Sequence, residues 1–169
     1  VRLISVGGES LKEFEEIYQT HFRDVELYLR AICRDSTLAE ELTQQAFFQA
    51  LRTLPTFRGE CDIRVWLCAI ARNLYLSHLR KEKDTLDIEQ LNIPDPRRSI
   101  EEQVDDRQQA MVIHQILHEL PEPYKEVFSL RIFGQLSFGD IGRIFGRTAN
   151  WACVTYHRAC QKIQAEMEE

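Results

Sequence analysis

The stretch DTLDIEQLNIPDPRR, residues 84–98, constrains this chain more than any other part of it. Pro94 and Pro96 withhold backbone donors that a helix or a sheet would need, and Asp84, Asp87, Glu89 and Asp95 leave no apolar face to bury. Such a segment builds no core and reads as a flexible or extended tether. On both sides of it, apolar residues recur at helical spacing, without the sustained alternation or the NG and DG turns of hairpins. The expected fold is therefore all-α: two small helical domains, 1–83 and 107–169, joined by an acidic linker over 84–106. A lone helix is marginal in water, so each half must close several apolar faces on one another.

The same segment explains the charge. The formal net charge of −6 suits a nucleic-acid-binding protein poorly until it is divided along the chain. Residues 1–83 hold 12 Lys/Arg and 12 Asp/Glu, and residues 107–169 hold 7 of each. The linker, with 2 basic and 8 acidic residues, carries the whole imbalance. Two neutral bodies remain, and a neutral body binds nucleic acid when its cations share one face.

Several function classes fall away. No apolar run approaches the ~18 residues of a membrane span, and VRLISVGGESLKEF lacks the basic-then-apolar layout of a secretory signal. The expectation is a cytoplasmic protein with no membrane contact of its own. Cys33, Cys61, Cys68, Cys153 and Cys160 form no CxxC pair and are odd in number, which favours ordinary reduced thiols. His157 and Cys160 stand one helical turn apart, and His114 shares a face with His118, but no four-ligand set assembles around either pair. Gly-rich phosphate loops, HExxH and GxSxG are absent. Hence no catalytic residue, metal or cofactor is expected.

In the first half, Phe14, Ile17, Tyr18 and Phe22 begin a stripe that continues through Val25, Tyr28, Leu29 and Ile32. A second helix, about 39–54, buries Leu42, Ala46, Phe47, Ala50, Leu51 and Leu54 and ends at Pro55. After a turn containing Gly59, a third helix over about 63–82 turns Trp66, Leu67, Ile70, Leu74 and Leu79 inward. Its other side holds Arg72, Asn73, Ser77, Arg80 and Lys81, a set able to meet phosphates and a base edge. Beyond the linker, helices are expected at about 101–120 and 123–133, separated by PEPY.

The stretch LSFGDIGRIFGRTANWACVTYHRACQKI follows. Ser137 and Asp140 form a capping box for a short helix with Ile141, Ile144 and Phe145 inward, and Gly146 suits the left-handed turn that stops it. Thr148 caps a longer helix whose inward face is Ala152, Tyr156, Ala159 and Ile163. Short helix, glycine turn, longer helix is a helix-turn-helix, and its second helix is built for a DNA major groove.

FEEIYQTHFRDVELYLRAIC, AEELTQQAFFQALRTLPTFRG and IRVWLCAIARNLYLSHLRK resemble successive parts of sigma-factor region 2, and LPEPYKEVFSLRIFGQLSFGDIGRIFGRT resembles region 4. Their order, with only a short linker between, is the layout of the extracytoplasmic-function (ECF) family of bacterial RNA polymerase sigma factors. The resemblance implies a non-enzymatic factor that binds core RNA polymerase and promoter DNA and is held by an anti-sigma factor. It implies minus-ten contacts from Phe57, Arg58, Arg72, Asn73, Ser77, Arg80 and Lys81, with the loop 57–62 capturing an unstacked base. Core polymerase would dock on Glu40, Glu41, Gln44, Gln45, Gln49 and Arg52. Minus-thirty-five contacts would come from Arg147, Trp151, Cys153, Val154, Thr155, His157 and Arg158. The recognition helix departs from the family in placing Cys153, Val154 and Thr155 where basic and hydroxyl residues are common, and Trp151 where a small one is. Arg158 is the best placed to clamp a guanine or a phosphate. The alternative is an autonomous helix-turn-helix regulator that binds duplex DNA without polymerase. An adaptor that binds polymerase without directing initiation is a further one.

Overall fold

The structure is a computed structural model that describes the backbone of residues 8–86 and 106–169 and the side chains of 12–83 and 112–169. Most of the expected acidic linker, residues 87–105, lies outside the described residues. Within them there are seven α-helices and one turn of 3-10 helix, and no strand. The first body comprises α1 (Gly8–Ile32), α2 (Ser36–Thr53), the 3-10 turn Leu54–Thr56 and α3 (Ile63–Leu86). The second comprises α4 (Asp106–Glu119), α5 (Tyr124–Ile132), α6 (Phe138–Phe145) and α7 (Ala149–Glu168).

Two boundaries differ from the sequence reading. Helix α2 starts earlier, because Asp35 caps it by accepting a 2.9 Å hydrogen bond from the backbone N–H of Thr37. At the other end of the first body, α3 continues to Leu86, three residues into the expected linker. Nothing in Asp84-Thr85-Leu86 breaks a helix; the prolines come later.

The first body closes as the apolar stripes dictate. Val25, Tyr28, Leu29 and Ile32 of α1 meet Leu42, Ala46, Phe47 and Ala50 of α2 and Leu67, Cys68, Ile70 and Ala71 of α3 in one buried cluster. Tyr18 and Leu79, expected inside, are at the surface. Tyr18 instead lays its ring on Phe22 at 4.7 Å and edge-on to Phe47 at 5.3 Å.

In the second body, Leu117 of α4 and Leu120 just after it pack on Ala159 and Ile163 of α7. Ser137 caps α6 by accepting from the Asp140 N–H at 3.1 Å, and its hydroxyl donates to the Asp140 carboxylate at 2.7 Å. The cap is formed, but the reciprocal bond of a capping box, from the Ser137 backbone N–H, is replaced by this side-chain contact. Gly146 ends α6 at φ 64°, and Thr148 caps α7 by accepting from the Trp151 N–H at 3.1 Å. Gly142 makes the turn tight: a Cβ there would lie 2.7 Å from the Thr148 carbonyl oxygen and 2.8 Å from that of Arg147. The two bodies are not apart. Val127, Leu130, Leu136, Ile141 and Ala152 belong to the same buried cluster as the α1–α3 core.

Candidate nucleic-acid interface

Three surfaces carry the residues singled out from the sequence. On α2, Glu40, Glu41, Gln44, Gln45, Gln49 and Arg52 are all exposed. Among them stands Phe48, 62% exposed, with the Arg52 guanidinium 5.9 Å from its ring centre. Gln44, Gln45, Phe48, Gln49, Arg52, Thr53 and Leu74 line an open groove of about 750 Å³. Sequence reasoning passed over Phe48, although its signal is plain: the stripe needs Phe47, so the next aromatic must point outward.

The second surface lies at the start of α3. Gly59, at φ 69°, turns the loop back. Phe57 and Trp66 then face each other at 4.7 Å between ring centres. With Thr56, Arg58, Glu60 and Cys61 they line a cavity of about 220 Å³. Paired rings beside a small cavity form a surface on which a base can stack. Trp66, expected in the core, is only partly buried and belongs to this wall. Farther along α3, Asn73, Ser77, Arg80 and Lys81 are exposed, as steps of three and four require.

Arg72 does not join them on open surface. Its side chain is mostly covered and reaches across to Glu126 of α5: Nε pairs with Oε1, and an Nη nitrogen lies 3.5 Å from Oε2. The expectation of a freely available Arg72 is therefore corrected. The reason is Glu126 itself, a carboxylate only 6% exposed that needs a cation and hydrogen-bond donors around it. Tyr28 supplies a second donor at 3.2 Å, and its phenol is pushed well above its ordinary pKa, first by burial and then by the Glu126 charge.

The third surface is α7. Arg147, Val154, His157 and Arg158 are exposed, Val154 at 39%, while Trp151 and Cys153 are half-buried. Trp151 leans on Phe145 at 5.2 Å, and the Arg147 guanidinium sits 5.9 Å from the Trp151 ring centre. Thr155 is the clear correction. It is 6% exposed and is one of the buried residues of α7, with Ala152, Ala159 and Ile163, so it offers almost no surface to a groove. Tyr156, expected fully inside, sits at the edge of that face against Phe138, 5.5 Å away.

All five cysteines are free. Burial raises the Cys33 and Cys68 thiols to about 12, so both are held protonated and unreactive. His114 and His118 lie 6.2 Å apart on α4, with no third ligand beside them among the described residues. No helix of the described residues is long and apolar enough to cross a membrane.

Comparison with known proteins accounts for the arrangement. Residues 17–85 match the family model for Sigma-70 region 2, and residues 110–163 match that for Sigma-70, region 4. The chain is 26% identical over 161 residues to the RNA polymerase sigma factor YlaC of Bacillus subtilis, covering 90% of this chain and 91% of that one. It is 27% identical over 160 residues to the ECF RNA polymerase sigma factor SigM of the same organism, covering 89% and 93%. Among solved structures it superposes on the sigma factor RpoE of Bartonella quintana, crystallised with the anti-sigma factor NepR. The TM-score is 0.76 at 20% identity, over 93% of this chain and 98% of that one. CnrH, solved with the cytosolic domain of CnrY, gives a TM-score of 0.67 at 18% identity, over 94% and 89%. Two sigma-70 regions in sequence order, spanning well over half of the chain, together with full-length relatives of one kind, identify it as a member of the ECF family of RNA polymerase sigma factors.

Proposed function

We infer that the chain is an alternative sigma factor: it binds core RNA polymerase, directs initiation at a specific set of promoters and performs no chemistry of its own. The observation that carries this is the succession of the two sigma-70 regions on one chain, 17–85 and then 110–163. Within that reading, residues 1–83 act as the polymerase and minus-ten body, 84–106 as the tether, and 107–169 as the minus-thirty-five body. The exposed polar face of α2, with Phe48 as an apolar anchor, docks on polymerase. An aromatic in a polar ring is a usual centre for such an interface.

The Phe57–Trp66 wall takes the unstacked minus-ten base, and Asn73, Ser77, Arg80 and Lys81 follow the strand. In the second body Arg147, His157 and Arg158 meet backbone or base edges, and Val154 offers an apolar contact for a thymine methyl. Three such groups bind DNA weakly alone, so tethering through polymerase supplies the effective concentration. RpoE was solved with the anti-sigma factor NepR, which supports control of this chain by an anti-sigma factor. Work beside polymerase places it in the cytoplasm.

Run-off transcription on fragmented genomic DNA tests the function. Core enzyme plus this chain is expected to yield discrete transcripts absent with core alone. Unchanged transcripts, despite a stable complex with core, would leave the adaptor reading instead.

A further inference from the structure

We propose that Glu126 and Arg72 form a latch that closes the two bodies of this sigma factor on each other and withholds Arg72 from DNA until the bodies part. The proposal rests on the reading of α3 as a DNA-facing helix. It begins with Glu126, which has few places to find its partners. A buried carboxylate is tolerated only with a cation and donors close by. Among the described residues, the side chains that serve it come from the first body: Arg72 on α3 and Tyr28 on α1. From the second body, the Glu122 carboxylate accepts from the Glu126 backbone N–H at 3.2 Å and adds a like charge beside it, and the face of Phe145 lies 4.6 Å from the Arg72 guanidinium carbon. Both the donor edge and the flat face of Arg72 are thus occupied from across the seam.

The seam around the latch is close-fitting. A Cβ on Gly134, in the turn after α5, would stand 3.4 Å from the Cys68 sulfur of α3 and 2.8 Å from the Leu130 carbonyl oxygen. Arg34, just past α1, donates to the His118 carbonyl at the end of α4 at 3.5 Å. Apolar contacts between Val127, Leu130 and Leu136 and the α1–α3 core give adhesion without direction. The Glu126–Arg72–Tyr28 set gives the register, because a docking that covers one of the two charges without the other strands it out of water.

Parting the bodies returns both charges to solvent, so the pair adds little net stability against an open, hydrated state. It strongly penalises a seam from which one partner has been removed. A ligand that binds only the parted form, as polymerase and promoter must if Arg72 is to reach a strand, shifts the balance by its differential affinity.

The test uses the full chain and two isosteric variants, one in each body. Small-angle scattering reads the closure; the wild type is expected near the roughly 16 Å radius of gyration of a compact chain this long. Glu126→Gln and Arg72→Gln should each expand it by several ångströms while circular dichroism shows unchanged helix. Binding to mixed-sequence single-stranded DNA at low salt reads the masking. Glu126→Gln, which frees Arg72, should bind about fivefold more tightly than wild type, and Arg72→Gln should show no gain. Two variants as compact as wild type would overturn the latch, and an expanded Glu126→Gln that binds DNA no better would overturn the masking. If Glu126→Gln loses its helices, the compactness of Arg72→Gln decides the latch. Failure of all forms to direct transcription with core enzyme would sink the sigma reading while leaving the scattering result in place.

Discussion

Helices α3 and α7 are both assigned to DNA, yet they keep their contacts in opposite ways. Helix α3 is rich in cations, but the one nearest the core, Arg72, is held by Glu126 under the second body. Helix α7 is poor in cations, but what it has is at the surface: Arg158 is exposed, and so is Lys162, 5.1 Å from the Tyr124 ring. A count of basic residues along each helix would rank α3 first. The structure shows that availability is set by the neighbours that a helix packs against, and those lie far away in sequence. Tyr28 and Glu126 are 98 residues apart, and Arg72 and Glu126 are 54 apart.

The largest effect is expected at Gly142. Any side chain there collides with the Thr148 and Arg147 carbonyls, so Gly142→Ala should cost about 1–3 kcal/mol of stability in chemical denaturation. It should displace α7 while leaving the docking face of α2 intact, so the variant joins core enzyme in a gel-shift assay but loses promoter selection. An equally selective variant would show that α7 is not held by this turn.

Within α7 the contrast sharpens between two residues three apart. Arg158→Ala should weaken binding of the polymerase complex to promoter duplex by about 1–3 kcal/mol. Thr155→Val, at a buried position, should leave sequence preference unchanged and alter only stability, measured by competition binding and by thermal melting. A change of preference in Thr155→Val would return that residue to the DNA face.

The smallest effect concerns pH. His21, His114 and His118 are held below the ordinary imidazole value of 6.5, chiefly by burial. Nearby Arg64 adds to this at His21, Arg30 at His114, and His114, Lys125 and Arg34 at His118. The unfolded chain therefore takes up protons first as pH falls, and stability present above 6.5 is lost as pH drops through and below that value. Melting temperature should fall as pH drops from above 6.5 to below it, and His118→Gln should flatten the slope. His118 Nδ1 is buried without a hydrogen-bond partner, and four influences lower the imidazole together: burial, His114, Lys125 and Arg34. A slope identical in wild type and variant would remove His118 from this account.

Much of this was legible in the chain. The caps at Ser137 and Thr148 and the left-handed Gly146 are local signals, complete within four residues, and the structure realises each one. The stripes of α1 to α3 are likewise local, since helical period alone selects Val25, Leu29, Ala46 and Leu67. Thr155 was legible but misread. It lies three residues after Ala152 and four before Ala159, both buried, and its hydroxyl drew attention to the wrong face. Phe48 was passed over because a polar helix face hides a single aromatic. The Arg72–Glu126–Tyr28 set could not be read at all, because nothing local in KEVFSL or ARNLYL records which helix lies opposite.

On this reading, the two helical bodies act on separate promoter segments only when polymerase holds them in place. Footprinting of one transcribed promoter, with this chain alone and with this chain plus core enzyme, tests it most directly. The account predicts no protection by the free chain and two protected segments, upstream and at the melted region, once core enzyme is added. A clear footprint from the free chain, or protection of one segment only in the complex, would contradict it.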